Sequence, residues 1–242
     1  MSSIGIYGSL GRMGRAIALA APELGAKVAG GTDTGDDPAA LAPQCDVLLD
    51  FSAPAALEAN LAAARAAGTP ILIGTTGLTD RHHALVDEAA RDIAVLQTAH
   101  TALGVTLLAG LVRQAAQRLG LEWDIEVLEM HHRNKVDAPS GTALMLGKAA
   151  AEGRGTTLAD SSVVDRAGLT GARAEGTIGF AALRGGTVVG DHSVIFAGNG
   201  ERIELTHRAE DRAIFARGAL QGALWLVGKP AGRYTMDQVL GF

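Results

Sequence analysis

Ser3-Ile4-Gly5-Ile6-Tyr7-Gly8-Ser9-Leu10-Gly11-Arg12-Met13-Gly14 decides the fold. Ser3 to Tyr7 reads as a short strand, and the Ala-rich stretch from Gly11 to Ala21 reads as a helix. Between them the glycines have separate duties. Gly8 permits a tight turn, Gly11 lets the backbone approach a ligand, and Gly14 lets the helix sit close to the sheet, while the helix N-terminus offers N–H groups to an anion. The letters alone are weak, because 32 glycines in the chain make chance matches easy. The order strand, turn, helix favours a pyrophosphate site over a glycine-rich turn with only structural duties, and Arg12 adds a cation beside it.

The same alternation continues outward. Lys27 to Thr32, Val47 to Phe51, Ile71 to Gly74 and Ile93 to Gln97 read as strands, and Pro54 to Ala67 and Thr79 to Ala90 as helices, the pattern of βαβ units and a parallel, Rossmann-type sheet. After Gly104 the rhythm changes. Val105 to Leu119 reads as one long helix, followed by strands at Ile125 to Met130, Thr177 to Arg184, Thr187 to Ala197 and Glu201 to Ala209. Arg184-Gly185-Gly186 and Gly198-Asn199-Gly200 read as hairpin turns, and Glu152 to Glu175 as a mobile loop. Ala213 to Val227 returns to helical periodicity and is expected to pack back on the first domain. The expected architecture is α/β: a dinucleotide-binding domain from residues 1–102 plus 209–242, and an α+β substrate and oligomerisation domain on a mixed sheet from residues 103–208.

Composition narrows the function. Charged residues make up 19% of the 242 and the formal charge is −5, with no Lys/Arg-rich run, so nucleic acid is a poor partner. No window approaches the roughly 18 apolar residues of a membrane helix, and the N-terminus lacks the basic and apolar regions of a signal peptide. Cys45 is the only cysteine, which excludes an internal disulfide or a multiple-cysteine zinc site. A cytoplasmic location is expected.

Asp33, about 20 residues beyond the glycines, is placed to accept hydrogen bonds from an adenosine ribose, although Asp36 and Asp37 compete as turn residues. No arginine stands beside it to hold a 2′-phosphate, so NADH is favoured over NADPH. Gly74-Thr75-Thr76 and Thr98-Ala99-His100-Thr101 follow two further strands, where ligands of open α/β sheets bind. Each taken singly reads equally well as an ordinary small-residue loop.

The most unusual stretch is Glu129-Met130-His131-His132-Arg133-Asn134-Lys135-Val136-Asp137-Ala138-Pro139-Ser140-Gly141-Thr142. His131 and His132 can exchange protons near neutrality, and Lys135 offers an ammonium. Ser140, Gly141 and Thr142 open an apparent helix whose first N–H groups suit a carboxylate. Separately these would read as a hydrogen-bonded histidine and a solvated lysine. Together, in a chain otherwise net negative, they read as an anion-binding active site. Metal ligation by His131, His132 and Asp137 competes weakly, since adjacent histidines in a strand point to opposite faces.

With Gly8 to Met13 and Gly74-Thr75-Thr76, this long segment resembles the 4-hydroxy-tetrahydrodipicolinate reductase (dihydrodipicolinate reductase) family of bacterial lysine and diaminopimelate biosynthesis. The likeness extends to Gly176-Thr177-Ile178-Gly179-Phe180 and Gly190-Asp191-His192. The resemblance implies His131 as proton donor/acceptor, Lys135 as proton donor, and His132, Gly141 and Thr142 as holders of a dicarboxylate. It places NADH or NADPH along Gly8, Ser9, Leu10, Gly11, Arg12, Met13, Asp33, Gly74 to Thr76 and Thr98 to Thr101. It implies hydride transfer to C4 of a cyclic substrate, hinge closure and a homotetramer. The chain departs from the family at Thr98-Ala99-His100-Thr101-Ala102, in a shortened stretch between Asp33 and Asp46, and at Thr34, where some relatives have arginine. A nucleotide-sensing module without catalysis and a dehydrogenase of another amino or keto acid are the alternatives.

Overall fold

Buried aliphatic runs alternating with Ala-rich helices build the first half of the computed structural model, which describes residues 1–242. In order come β1 Ser2–Tyr7, α1 Arg12–Ala20, β2 Ala26–Thr32, α2 Pro38–Leu41, β3 Val47–Asp50, α3 Leu57–Ala67, β4 Ile71–Ile73, α4 Asp80–Ala89 and β5 Ala94–Gln97. The chain continues through α5 Leu103–Arg118, β6 Asp124–His131, α6 Gly141–Gly153, α7 Leu158–Ser161, β7 Ser162–Val163, β8 Ile178–Arg184, β9 Gly190–Gly198 and β10 Glu201–Ala209. It ends with α8 Ala213–Leu226, β11 Gly232–Tyr234 and α9 Met236–Val239. Two units result, one of Met1–Leu103 with Ala213–Phe242, the other of Gly104–Arg212.

The first unit holds a six-stranded parallel sheet in the order β11-β5-β4-β3-β1-β2. Its central strands must be apolar on both faces, because helices cover both. Val47 and Leu49 of β3 accordingly face a core shared with Ile17 of α1 and Leu220 of α8, while Leu48 faces Leu61 of α3 and Val86 of α4. Gly218 lets α8 press against the loop after β5, since a β-carbon there would lie 1.8 Å from the Thr101 carbonyl oxygen.

The second unit holds a mixed sheet in the order β10-β9-β6-β8-β7. Here two sequence expectations are corrected. Arg184-Gly185-Gly186 is not a hairpin turn: β8 pairs parallel to β6, whose other edge takes β9 antiparallel, so residues 185–189 wrap around the end of β6. Gly185 N donates to His131 O and His132 N to Val188 O, which satisfies this crossing and delays β9 to Gly190. The stretch from Glu152 to Glu175 is not all loop, because it carries the end of α6, α7 and β7. Asn199-Gly200 does close a two-residue turn between β9 and β10, with Gly200 at φ +82°.

Alternation along β6 sends Ile125, Val127, Glu129 and His131 to the buried face. Ile125 and Val127 meet Val112 of α5, Leu146 of α6 and Phe196 of β9. The apolar face thus gives way to two polar side chains at the strand's carboxyl end.

Candidate functional site

The strand-turn-helix at the chain's start forms a cradle that side chains would fill. Gly8 has φ +82°, a conformation that favours glycine, and a β-carbon on it would lie 2.6 Å from Phe51 O. One on Gly14 would lie 2.3 Å from Gly8 O. Arg12 opens α1, whose first turn carries no acidic residue, so the helix N-terminus stays favourable to an anion. Met13 packs inward against the core. A cleft of about 510 Å³ runs from Gly8 and Gly11 past Asp33 to Phe51 and Asn60, at the β1/β3 point where the strand order reverses. Asp33 Oδ2 accepts from Ser9 Oγ at 2.6 Å and from Leu10 N at 3.0 Å, which fixes the carboxylate on the cleft wall. These residues fit the pyrophosphate and ribose of a dinucleotide.

Asp50, fully buried at the end of β3, organises the neighbouring loops and was not singled out by the sequence. Its Oδ1 accepts from Ser52 N, Ser52 Oγ and Thr75 Oγ1 at 3.0, 2.6 and 2.9 Å, and its Oδ2 from Asn60 Nδ2 at 3.0 Å. Thr75 therefore points inward, whereas Thr76 is exposed. Gly74 lies under the Phe51 ring, where a β-carbon would meet Cε1 at 2.1 Å. After β5, Thr98 Oγ1 donates to His100 O at 2.7 Å and accepts from His100 N at 3.1 Å, and Thr101 Oγ1 donates to Phe215 O at 2.8 Å. Ala99 is exposed, and burial pulls His100 below its ordinary pKa.

In the second unit the anion-site candidates divide between two surroundings. His131 is 9% exposed, and its Nδ1 lies 2.6 Å from Glu129 Oε2. Arg184 grips that carboxylate with two nitrogens, each at 2.8 Å, and Ser140 N donates to its Oε1 at 3.1 Å. Burial pushes the Glu129 carboxyl up, and the hydrogen bonds from Arg184 and His131 outweigh it, leaving the group below its ordinary value. Ser140 caps α6 by accepting from Ala143 N at 3.2 Å, and its hydroxyl lies 3.0 Å from His192 Nε2. The His131 and His192 rings meet edge to face at 5.0 Å. Gly141 and Thr142 form the first turn of α6, where backbone N–H groups lack intrahelical acceptors.

His132 leaves this cluster and lines an open basin with Arg133, Asn134, Thr187 and Arg212. Lys135 Nζ donates to both oxygens of Asp137 at 2.8 and 2.9 Å, which holds the Asp137 carboxyl below its usual value. No three His, Cys, Asp or Glu side chains converge as metal ligands. The sequence reading gave no role to Arg184 or Glu129. Period-two spacing signals that Glu129 and His131 share a face, but nothing local announces Arg184, which is brought in by β8 pairing.

A parallel sheet with a glycine-lined nucleotide cleft, joined in one chain to a unit bearing a histidine and a helix start suited to anions, defines the class of NAD(P)H-dependent oxidoreductases. Family models described as "Dihydrodipicolinate reductase, N-terminus" and "Dihydrodipicolinate reductase, C-terminus" match residues 2–101 and 104–240. The chain belongs to the dihydrodipicolinate reductase family. It is 55% identical to the 4-hydroxy-tetrahydrodipicolinate reductase of Zymomonas mobilis, over 98% of this chain and 96% of that one. The protein of that name from Afipia carboxidovorans is 56% identical over 83% of this chain and 74% of its own. The fold matches a dipicolinate-bound dihydrodipicolinate reductase from Paenisporosarcina with a TM-score of 0.78 at 22% identity, covering 97% of each chain. No helix is long and apolar enough to cross a membrane.

Proposed function

We propose that this chain reduces 4-hydroxy-tetrahydrodipicolinate to tetrahydrodipicolinate in lysine and diaminopimelate biosynthesis. The observation that carries this reading is the juxtaposition of the Glu129–His131 pair with the Ser140-capped start of α6, in a chain so close to reductases of that name. When bound, NAD(P)H supplies the hydride that reaches C4 of the ring. Residues 1–102 with 209–242 serve as the dinucleotide domain, with Gly8 to Met13 along the pyrophosphate, Asp33 at the ribose, and Gly74 to Thr76 with Thr98 to Thr101 towards the nicotinamide. Residues 103–208 serve substrate binding and oligomerisation. His132, Gly141 and Thr142 hold the substrate carboxylates, with Ser140 shaping the helix start. His131 and Lys135 move protons. NADH is favoured, because Asp33 faces the ribose position and its neighbour Thr34 carries no charge to attract a 2′-phosphate. A cytoplasmic homotetramer is the expected working form.

The test supplies the freshly made product of dihydrodipicolinate synthase with NADH and NADPH in separate assays. Loss of reduced-nicotinamide absorbance is expected, faster with NADH. Dinucleotide binding without oxidation of either cofactor would overturn the assignment.

A further inference from the structure

Glu129 is 1% exposed, and every partner it has is specific: Arg184 on both oxygens, Ser140 N on Oε1, His131 Nδ1 on Oε2. A carboxylate held below its ordinary value in such a place stays ionised at neutral pH and acts only as an acceptor. The nitrogen of His131 that faces it must therefore be the one bearing hydrogen. The opposite nitrogen, Nε2, faces Gly190, which has no side chain of its own: a β-carbon built there would lie 3.0 Å from it. Two structural choices, an anion on one edge of the ring and a glycine on the other, thus give the two nitrogens different fates.

We propose that Glu129, locked by Arg184, is the positioning residue for His131, fixing the ring with Nδ1 protonated so that Nε2 is its proton-exchanging atom. The inference rests on the function proposed above and assigns the atom within it. The C4 hydroxyl of the substrate leaves as water together with a proton from the adjacent ring carbon, and reduction of the double bond so formed takes a hydride at C4 from the reduced nicotinamide and a proton at that adjacent carbon. In the protonation step the Nε2–H bond of the doubly protonated ring breaks as the C–H bond forms, leaving neutral His131 with its proton on Nδ1, and Nε2 regains a proton from water. Glu129 stays ionised throughout and touches no substrate. Arg184 contributes geometry: its two parallel hydrogen bonds stop the carboxylate from turning away from the imidazole. Ser140 N couples the same carboxylate to the start of α6, so the proton-exchanging ring and the proposed carboxylate site share one anchor.

The test is Glu129→Gln in the full chain, read by long-range ¹H–¹⁵N spectra of labelled histidine and by kinetics. Wild-type His131 is expected to show a protonated Nδ1 and a bare Nε2 in its neutral form. The Gln variant is expected to show a mixed or reversed tautomer and a kcat lower by roughly 10- to 100-fold. Its KM is expected to change much less, and its dinucleotide affinity not at all. Glu129→Asp, which keeps the charge, is expected to restore part of both. If the Gln variant does not fold, Arg184→Lys and Glu129→Asp supply the reading through smaller changes in the same signals. A wild-type His131 with Nε2 protonated, or variants with unchanged ¹⁵N signals and kcat, would overturn the proposal. The spectra need no substrate, so a chain inactive on the cyclic dicarboxylate yet showing the Nδ1-protonated ring would defeat the functional reading and leave the positioning role standing.

Discussion

Gly190 stands against the Nε2 edge of His131, with only tight room for a β-carbon: one placed there would lie 3.0 Å from Nε2 and 3.4 Å from Cδ2, so the ring would have to give by a few tenths of an ångström. The neighbouring His192 ring would meet it at 3.4 Å as well, so His131 has little space into which to retreat. Gly190→Ala is therefore expected to fold with a loss of about 1–3 kcal/mol and to lower kcat more than stability. Urea unfolding alongside steady-state kinetics checks this. A variant with wild-type kcat would show that the Nε2 edge is not the working one.

Lys135 is tied to an exposed carboxylate two residues away, and that pair contributes little to stability. Lys135→Ala should consequently leave the melting temperature nearly unchanged while turnover falls by about 100-fold or more, the usual range for a positioned proton donor. Dinucleotide binding, followed by fluorescence, should persist. Normal turnover would remove Lys135 from the chemistry.

Asp33 is held to the glycine turn through Ser9 and Leu10, and in the proposed function its carboxylate is set against the ribose of the cofactor. Asp33→Ser removes the charge and keeps a small polar side chain. Losing hydrogen bonds to a charged group costs about 1.5–3 kcal/mol, so NADH affinity should fall by roughly tenfold or more while NADPH affinity changes less or improves. Titration with each cofactor gives the ratio, and an unchanged ratio counts against Asp33 as the selectivity residue.

These expectations depend unequally on what the sequence discloses. The parallel sheet was legible because Val47-Leu48-Leu49 and Ile71-Leu72-Ile73 are apolar on both faces, and Gly8, Gly11 and Gly14 fall in a fixed order between strand and helix. The long segment from Glu129 to Thr142 was equally legible, being contiguous. What escaped is non-local. Asp50 lies ten residues before Asn60 and 25 before Thr75, and only sheet packing brings them together. Arg184 lies 55 residues beyond Glu129 and arrives through a parallel crossover that the Gly185-Gly186 pair disguised as a hairpin. His132, adjacent in sequence to His131, is separated from it in space because β6 ends between them.

The Glu129 anchor also sets a pH dependence whose sign follows from its direction of shift. A carboxyl held below its ordinary value when folded stabilises the protein fully above the unfolded value, and loses that contribution as pH falls through the folded one. Below about pH 4.5 the unfolded chain starts to bind a proton that the folded state resists, so stability declines from there downward. Other carboxyls, among them Asp46 and Asp137, are lowered too and will add to any acid loss, so the wild-type curve alone does not isolate Glu129. Glu129→Gln does, because it cannot titrate. Its stability should be lower at neutral pH by about 1–3 kcal/mol, the cost of a weakened buried hydrogen-bond network. The gap to wild type should narrow as pH is taken from about 6 down through the unfolded carboxyl's range, because the unfolded wild-type chain takes up a proton there that the folded Glu129, held below its ordinary value, resists. Urea midpoints for both proteins across that range provide the measurement, and a gap that stays constant would mean that Glu129 is not ionised in the folded chain.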